Sequence, residues 1–236
     1  MTKSKPLSSS NAINLVIFDC DGVLVDSEIL SQRVLLSMLN ELSVVASEEY
    51  FLTNFLGFNF EHVTAKVLTD YGVTLTSEFR QRYREALIET FAQELQKTEQ
   101  LEWLLSQLNV KSCVATSGSP EKVKHSLYYT KLDQYFDGRV FTSSEVKNGK
   151  PAPDLFLHAA NKMGVAPENC LVIEDSNAGI RAGLAAKMHV IRYVGASHLK
   201  NRDITTQIPD DVSTIGHWNQ LFEQVPSLSS SIGTEK

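Results

Sequence analysis

An apolar run, Leu15-Val16-Ile17-Phe18, passes directly into Asp19-Cys20-Asp21-Gly22. A short apolar run bounded by a turn signal reads as a buried strand, expected here over 14–20. Asp19 and Asp21 then stand at its carboxyl end, where open parallel sheets place their ligand crevice. Two carboxylates so placed can hold a hard cation, or one can attack while the other moves protons. Taken alone, Asp-x-Asp-Gly is more often a turn.

The rest of the chain decides how far that reading extends. With 236 residues it can bury one large domain or a core plus an insert. Its net charge of −6 argues against broad binding to nucleic acid or to an anionic membrane, though not against a small anion held by a cation. No eighteen-residue apolar segment suggests a membrane span. The start, Met1-Thr2-Lys3-Ser4-Lys5-Pro6, lacks the apolar stretch of a signal peptide, so a short flexible tail over 1–13 and a cytoplasmic location are expected. Cys20, Cys113 and Cys170 lack metal-ligand spacing and read as buried thiols in a reducing compartment.

From Glu28 to about Lys97 the pattern turns helical. Val34, Leu35, Met38, Leu39 and Leu42 recur at helical spacing, and further helices are expected near 59–71 and 77–97. Some seventy helical residues between a first strand and the next are an insert rather than an ordinary crossover. Strand and helix then alternate: strand 111–116, helix 121–129, a short strand at 138–142, helix 153–163, strand 170–173, helix 178–186 and strand 188–193. A terminal helix is expected near 217–224 and a polar tail over 226–236. This alternation predicts an α/β fold, a doubly wound parallel sheet with helices on both faces.

Four polar clusters then share one crevice if the strands are parallel: Asp19/Asp21, Thr116-Ser117-Gly118, Lys150, and Glu174-Asp175-Ser176. Two acidic clusters would repel without a cation between them. All-oxygen ligation favours Mg²⁺. The hydroxyl, the adjacent backbone N–H groups and the lysine suit phosphoryl oxygens. Glu174-Asp175-Ser176 is equally a capping signal for the helix that follows, and Asp26-Ser27 reads as a cap or hinge. His125, His158 and His189 read as structural, Trp103 and Trp218 as core.

Asp19-x-Asp21-Gly22-Val23 with Asp26-Ser27-Glu28, Thr116 after a strand, Lys150-Pro151-x-Pro153-Asp154 and Glu174-Asp175-Ser176-x-x-Gly179 together resemble the haloacid dehalogenase-like (HAD) hydrolase superfamily, in family order over roughly residues 14–195. The resemblance implies a Rossmann-like core over 1–27 and 98–225 with an inserted α-helical cap over 28–97. The cap's position is that of the subgroup containing phosphoglycolate phosphatases and β-phosphoglucomutases. It further implies that Asp19 is the nucleophile and Asp21 the general acid, then base. Thr116, Ser117, Gly118 and Lys150 would bind the phosphoryl group. Asp19, the carbonyl of Asp21, Asp175 and Glu174 would hold Mg²⁺.

The implied enzyme is a phosphoric monoester hydrolase, a Mg²⁺-dependent phosphatase of a small phosphorylated metabolite, either a sugar phosphate or an organic-acid phosphate. A monomer is expected, with a dimer as the alternative. Asp21 argues against a dehalogenase or phosphonatase. A phosphosugar mutase is the nearest alternative, but those relatives carry a cap histidine where this chain has Ser31. A receiver-like signalling module would carry its phosphorylated Asp on a middle strand, and a non-catalytic binding module would not need the intact motifs. Gly57 and Phe58 fall in the loop that resembles the family's cap specificity loop. Relatives often have a basic residue after that glycine. Phe58 there suggests a less anionic or more apolar distal end to the substrate, unless Lys66 or another cap residue supplies the charge; Phe58 reads equally as cap packing.

Overall fold

The computed structural model describes residues 12–200, 209 and 212–230. Six strands, β1 (Leu15–Phe18), β2 (Lys111–Thr116), β3 (Val140–Thr142), β4 (Cys170–Glu174), β5 (His189–Tyr193) and β6 (Ser213–Ile215), form one parallel sheet ordered β3-β2-β1-β4-β5-β6. Four helices, α1 (Glu28–Glu41), α2 (Glu48–Asn54), α3 (Phe60–Tyr71) and α4 (Ser77–Glu94), lie between β1 and β2, followed by α5 (Leu101–Gln107). Downstream come α6 (Pro120–Tyr129), α7 (Asp133–Phe136), α8 (Asp154–Met163), α9 (Asn177–Ala185) and α10 (Asn219–Gln224).

The apolar run at β1 is buried along its whole length because its alternate side chains feed two cores. Val16 and Phe18 pack with Leu101, Leu104, Val123 and Trp218 on one face of the sheet. Leu15 and Ile17 pack with Leu155, Phe156 and Ile180 on the other. With β2 and β4 on either side, β1 is central, and the chain leaves it first towards β2 and β3, then returns to β4 on the opposite side. The reversal puts the switch point of the sheet at the carboxyl ends of β1 and β4.

Helices α1–α4 enclose an apolar cluster of their own, including Leu35, Met38, Phe51, Val63, Val67 and Phe79. Three of them start on a polar cap: Ser47, Asn59 and Thr76 accept from the backbone N–H groups of Tyr50, His62 and Phe79. The two chain segments joining this insert to the sheet pair with each other, through an antiparallel bridge between Val25 and Lys97 and a hydrogen bond from Asp26 N to the Gln96 carbonyl.

The structure adds the four-residue helix α7 and three further elements to the sequence reading. Helix α2 is short but carries the start signal Ser47-Glu48-Glu49, helix α5 spans seven residues, and β6 buries only Ile215 fully, too little for a visible period. The expected tail 226–236 is corrected at its start: Leu228 is fully buried, and its carbonyl accepts from Asn109 N. Residues 231–236 lie outside the described residues, as does most of the expected tail 1–13, of which Ile13 is buried. Trp218 is core, whereas Trp103 is 44% exposed and meets Phe222 edge-on.

Candidate active site

The switch point gathers the carboxyl ends of β1, β2 and β4. Asp19 follows β1 directly, and its N–H still donates to the Ile173 carbonyl of β4, so its backbone is held in the sheet's ladder. The chain then turns sharply: Leu24 N and Val25 N both donate to the Cys20 carbonyl, and Gly22 N donates to that of Val25. Gly22 makes this turn possible. It has φ +75°, and a Cβ there would lie 2.2 Å from Asp175 Oδ2.

Lys150 ties the corner together. Its ammonium, 5% exposed as a residue, donates to Asp19 Oδ1 at 2.6 Å, to Glu174 Oε1 at 2.8 Å and to the Ala115 carbonyl at 3.0 Å. All three ammonium hydrogens therefore have acceptors. Burial works against its charge, but Asp19 and Glu174 outweigh burial and hold its pKa above the ordinary lysine value. The second Glu174 oxygen accepts from Ser176 N at 2.8 Å and from Ser176 Oγ at 2.9 Å. Ser176 Oγ in turn accepts from Gly179 N, capping α9. Locally, the serine caps the helix, while the two acids stand beside Asp19 in the acidic cluster.

Asp19, Glu174 and Asp175 each bring one carboxylate oxygen into a group lying within 4.8 Å of one another, all three buried. Burial raises the Asp19 pKa well above the usual carboxylate range; Lys150 pulls it down, while Glu174, Asp175 and Asp21 push it further up. Burial and Glu174 also raise Asp175. One lysine therefore leaves this corner short of positive charge, and the all-oxygen donor set fits a hard divalent cation. His198, buried, brings its Nε2 to 2.8 Å from Asp175 Oδ2 from the segment after β5.

Asp21 is held differently. Its Oδ1 accepts from Ser27 Oγ at 2.5 Å and pairs with Lys122 Nζ at 2.8 Å. Its Oδ2 faces the turn after β2, lying 3.4 Å from where a Cβ on Gly118 would be. In that turn Thr116 Oγ1 accepts from Gly118 N at 3.0 Å. Ser27, read as a cap or hinge, precedes α1, but its hydroxyl caps nothing there and serves Asp21 instead.

A cavity of about 470 Å³ opens above these groups, between the sheet's end and the four-helix insert. Asp19, Asp21, Thr116, Ser117 and Gly118 line its floor, with Gly57 and Phe58 at its side. Lys150, Glu174 and Asp175 lie beneath. The Gly57 carbonyl accepts from Ser117 Oγ at 3.0 Å, so the loop sits directly on the β2 turn. Phe58 stacks on His62, ring centroids 3.9 Å apart. Lys66 pairs with Asp70 and is not among the cavity's lining residues.

Lys122, Arg80, Arg84 and Tyr83, which the sequence does not single out, line the cavity, as does Glu28, which the sequence marks only as part of the Asp26-Ser27-Glu28 motif. Spacing carried a usable signal for some of them: Arg80, Arg84 and Leu87 recur on one face of α4, and Glu28, Ser31 and Leu35 on one face of α1.

Residues 16–193 match the family described as haloacid dehalogenase-like hydrolase. The chain belongs to that family. The "6-phosphogluconate phosphatase" of Escherichia coli (strain K12) is 34% identical over 212 residues, covering 89% of this chain and 94% of that protein. The "Probable pseudouridine-5'-phosphatase" of Drosophila melanogaster is 33% identical over 183 residues, covering 74% and 79%. Among solved structures, a conserved haloacid dehalogenase-like protein of Agrobacterium tumefaciens superposes with a TM-score of 0.74 at 27% identity, covering 92% of this chain and 99% of that one. This HAD-like chain is an enzyme of the phosphoric monoester hydrolase kind. Among the described residues, no helix is long and apolar enough to cross a membrane.

Proposed function

We propose that this enzyme is a Mg²⁺-dependent phosphatase of a small phosphorylated metabolite, a sugar phosphate or sugar-acid phosphate, working through an aspartyl-phosphate. The observation that carries the reading is the Lys150 ammonium, held 2.6 Å from Asp19 beside three buried carboxylates with the Thr116–Gly118 turn adjacent. The name of the Escherichia coli relative supports the sugar-acid class.

Asp19, Asp175 and the Asp21 carbonyl would hold the cation, with Glu174 closing the acidic cluster from the Lys150 side. Bound there, Mg²⁺ would supply positive charge against the phosphoryl oxygens and the carboxylates. The chain's own groups do the rest. A carboxylate oxygen of Asp19 attacks phosphorus as the bond to the leaving oxygen breaks, and Asp21 gives that oxygen its proton. Asp21, now a carboxylate, takes a proton from water whose oxygen attacks the same phosphorus. Inorganic phosphate leaves and Asp19 is restored. Lys150, Thr116 Oγ1 and the N–H groups of Ser117 and Gly118 bind the equatorial oxygens, where charge spreads in the transition state. Ser31 stands at the cavity wall where a mutase of the family would have its histidine, which supports hydrolysis over transfer to a second sugar hydroxyl.

With Mg²⁺ and 6-phosphogluconate, the wild-type enzyme is expected to release inorganic phosphate. Asp19→Asn is expected to lower turnover by about 10³-fold or more and to abolish ³²P labelling of the enzyme, and Asp21→Asn to slow both formation and hydrolysis of the phosphoenzyme. Phosphate release by Asp19→Asn at the wild-type rate would overturn the assignment.

A further inference from the structure

The mechanism uses the floor of the cavity, but one wall holds a buried acid that it does not use. Glu28 opens α1 directly after Ser27, is 8% exposed and lines the cavity. Its carboxyl has no hydrogen-bond partner among the described residues. A carboxyl that lines a cavity without a hydrogen bond to the protein is open to bonding by a ligand there. Helix α1 brings Ser31 to the same wall one turn later. Lys122, which pairs with Asp21 Oδ1, lines the cavity close enough to oppose the effect of burial on Glu28. Glu28 and Lys122 therefore flank the acid that protonates the leaving oxygen, on the side where the carbon skeleton of the substrate has to lie.

We propose that Glu28 is a specificity-determining residue that, with Lys122, hydrogen-bonds hydroxyl groups on the carbons next to the phosphoester, so that the site selects a polyhydroxylated leaving group. Burial pushes the Glu28 carboxyl up to about 8, against the opposing effect of Lys122, so near neutral pH it both donates and accepts. A hydroxyl-bearing chain meets both needs. An alkyl chain leaves donor and acceptor buried and unmet, the arrangement that rejects analogues most strongly. The aromatic groups Phe58 and Phe60 on the cavity lining then pack the carbon faces of such a chain rather than selecting an apolar substrate.

This inference rests on the phosphatase reading, and one substrate pair separates the two. 6-Phosphogluconate and n-hexyl phosphate both present a primary alkyl phosphoester on six carbons and differ in the hydroxyls along the chain and in the carboxylate at its far end, so it is the dependence of the preference on Glu28 that reads the hydroxyl contacts. If the wild-type enzyme hydrolyses neither, nor p-nitrophenyl phosphate, the phosphatase reading fails. If it is active, kcat/KM should favour 6-phosphogluconate, and Glu28→Leu should reduce that preference tenfold or more, chiefly through KM. Glu28→Gln, whose amide also donates and accepts, should keep the preference within about threefold of wild type. Glu28→Ala gives the same reading without filling the space, should the leucine variant fail to fold. Equal losses on both substrates, or an unaltered preference in the leucine and alanine variants, would overturn the role of Glu28.

Discussion

The floor and the wall of the cavity solve the problem of buried charge in opposite ways. On the floor, Asp19, Glu174 and Lys150 are close-coupled, with every hydrogen on the ammonium placed against an oxygen. Along the α1 wall, Glu28 has no hydrogen-bond partner among the described residues, and burial outweighs the nearby Lys122 in its chemistry. A phosphoryl group is the same in every substrate, so the floor's side chains can be fixed in place before the substrate binds. A leaving group varies, so the wall keeps its bonding capacity open. Catalytic preorganisation and substrate choice therefore fall on different elements: strand ends for the first, helix faces of the insert for the second.

Removing a member of the completed floor has the largest expected effect. Lys150→Met leaves Asp19 and Glu174 buried without their shared cation. Breaking a buried pair from one side costs about 3–5 kcal/mol. Phosphate turnover should fall by about 10³-fold, because the charge that faces the phosphoryl oxygens is gone as well. Calorimetric melts and a phosphate-release assay check the two effects separately. A variant that keeps its wild-type melting temperature would mean that the floor's charges are less tightly coupled than their distances imply.

The wall should answer to pH instead. The folded Glu28 carboxyl titrates at about 8, above its ordinary value of 4.5. As pH rises past about 4.5 the unfolded chain loses that proton while the folded enzyme keeps it, which favours unfolding. Glu28 therefore costs stability progressively between about pH 4.5 and 8, with no further change above. Glu28→Gln has no such proton. Its melting temperature relative to wild type should rise from pH 5 to pH 8 by several degrees. A gap that stays level across that range would mean that Glu28 is ionised in the fold.

The same division explains what could be read from the chain alone. Asp19, Thr116, Lys150 and Asp175 were legible because each follows an apolar run, or the loop after one, and parallel strands bring such ends together whatever their distance in sequence. The parallel sheet with helices on both faces followed from the same alternation, whereas the order of its strands came only with the structure. Arg84, Lys122 and Glu28 were not legible as a set. Each sits on an ordinary amphipathic helix, and only the docking of α1, α4 and α6 puts them around one cavity. His198 is a clearer case: it lies in a three-residue turn whose sequence carries no period, yet it reaches Asp175. Loop Gly57-Phe58 was found by resemblance, but the basic groups of the wall come from α4 and α6, whereas Lys66 is held by Asp70.

The junction between floor and wall gives the smallest expected effect and the finest test. Gly57 has φ +79°, and a Cβ there would lie 2.2 Å from Ser176 Oγ, the hydroxyl that caps α9 and holds Glu174. Gly72, at the end of α3, has φ +67° but nothing within 4 Å of the same position. Alanine at either glycine carries the left-handed strain, about 1–2 kcal/mol. Only Gly57→Ala must also push the loop off Ser176, and with it the Gly57 carbonyl that accepts from Ser117. Both variants should therefore lose a few degrees of melting temperature, while Gly57→Ala alone should raise KM, by about three- to tenfold, as the loop tilts away from the β2 turn. If the two variants differ in neither melting temperature nor KM, the loop is packing, and the wall's selectivity lies wholly with the helices.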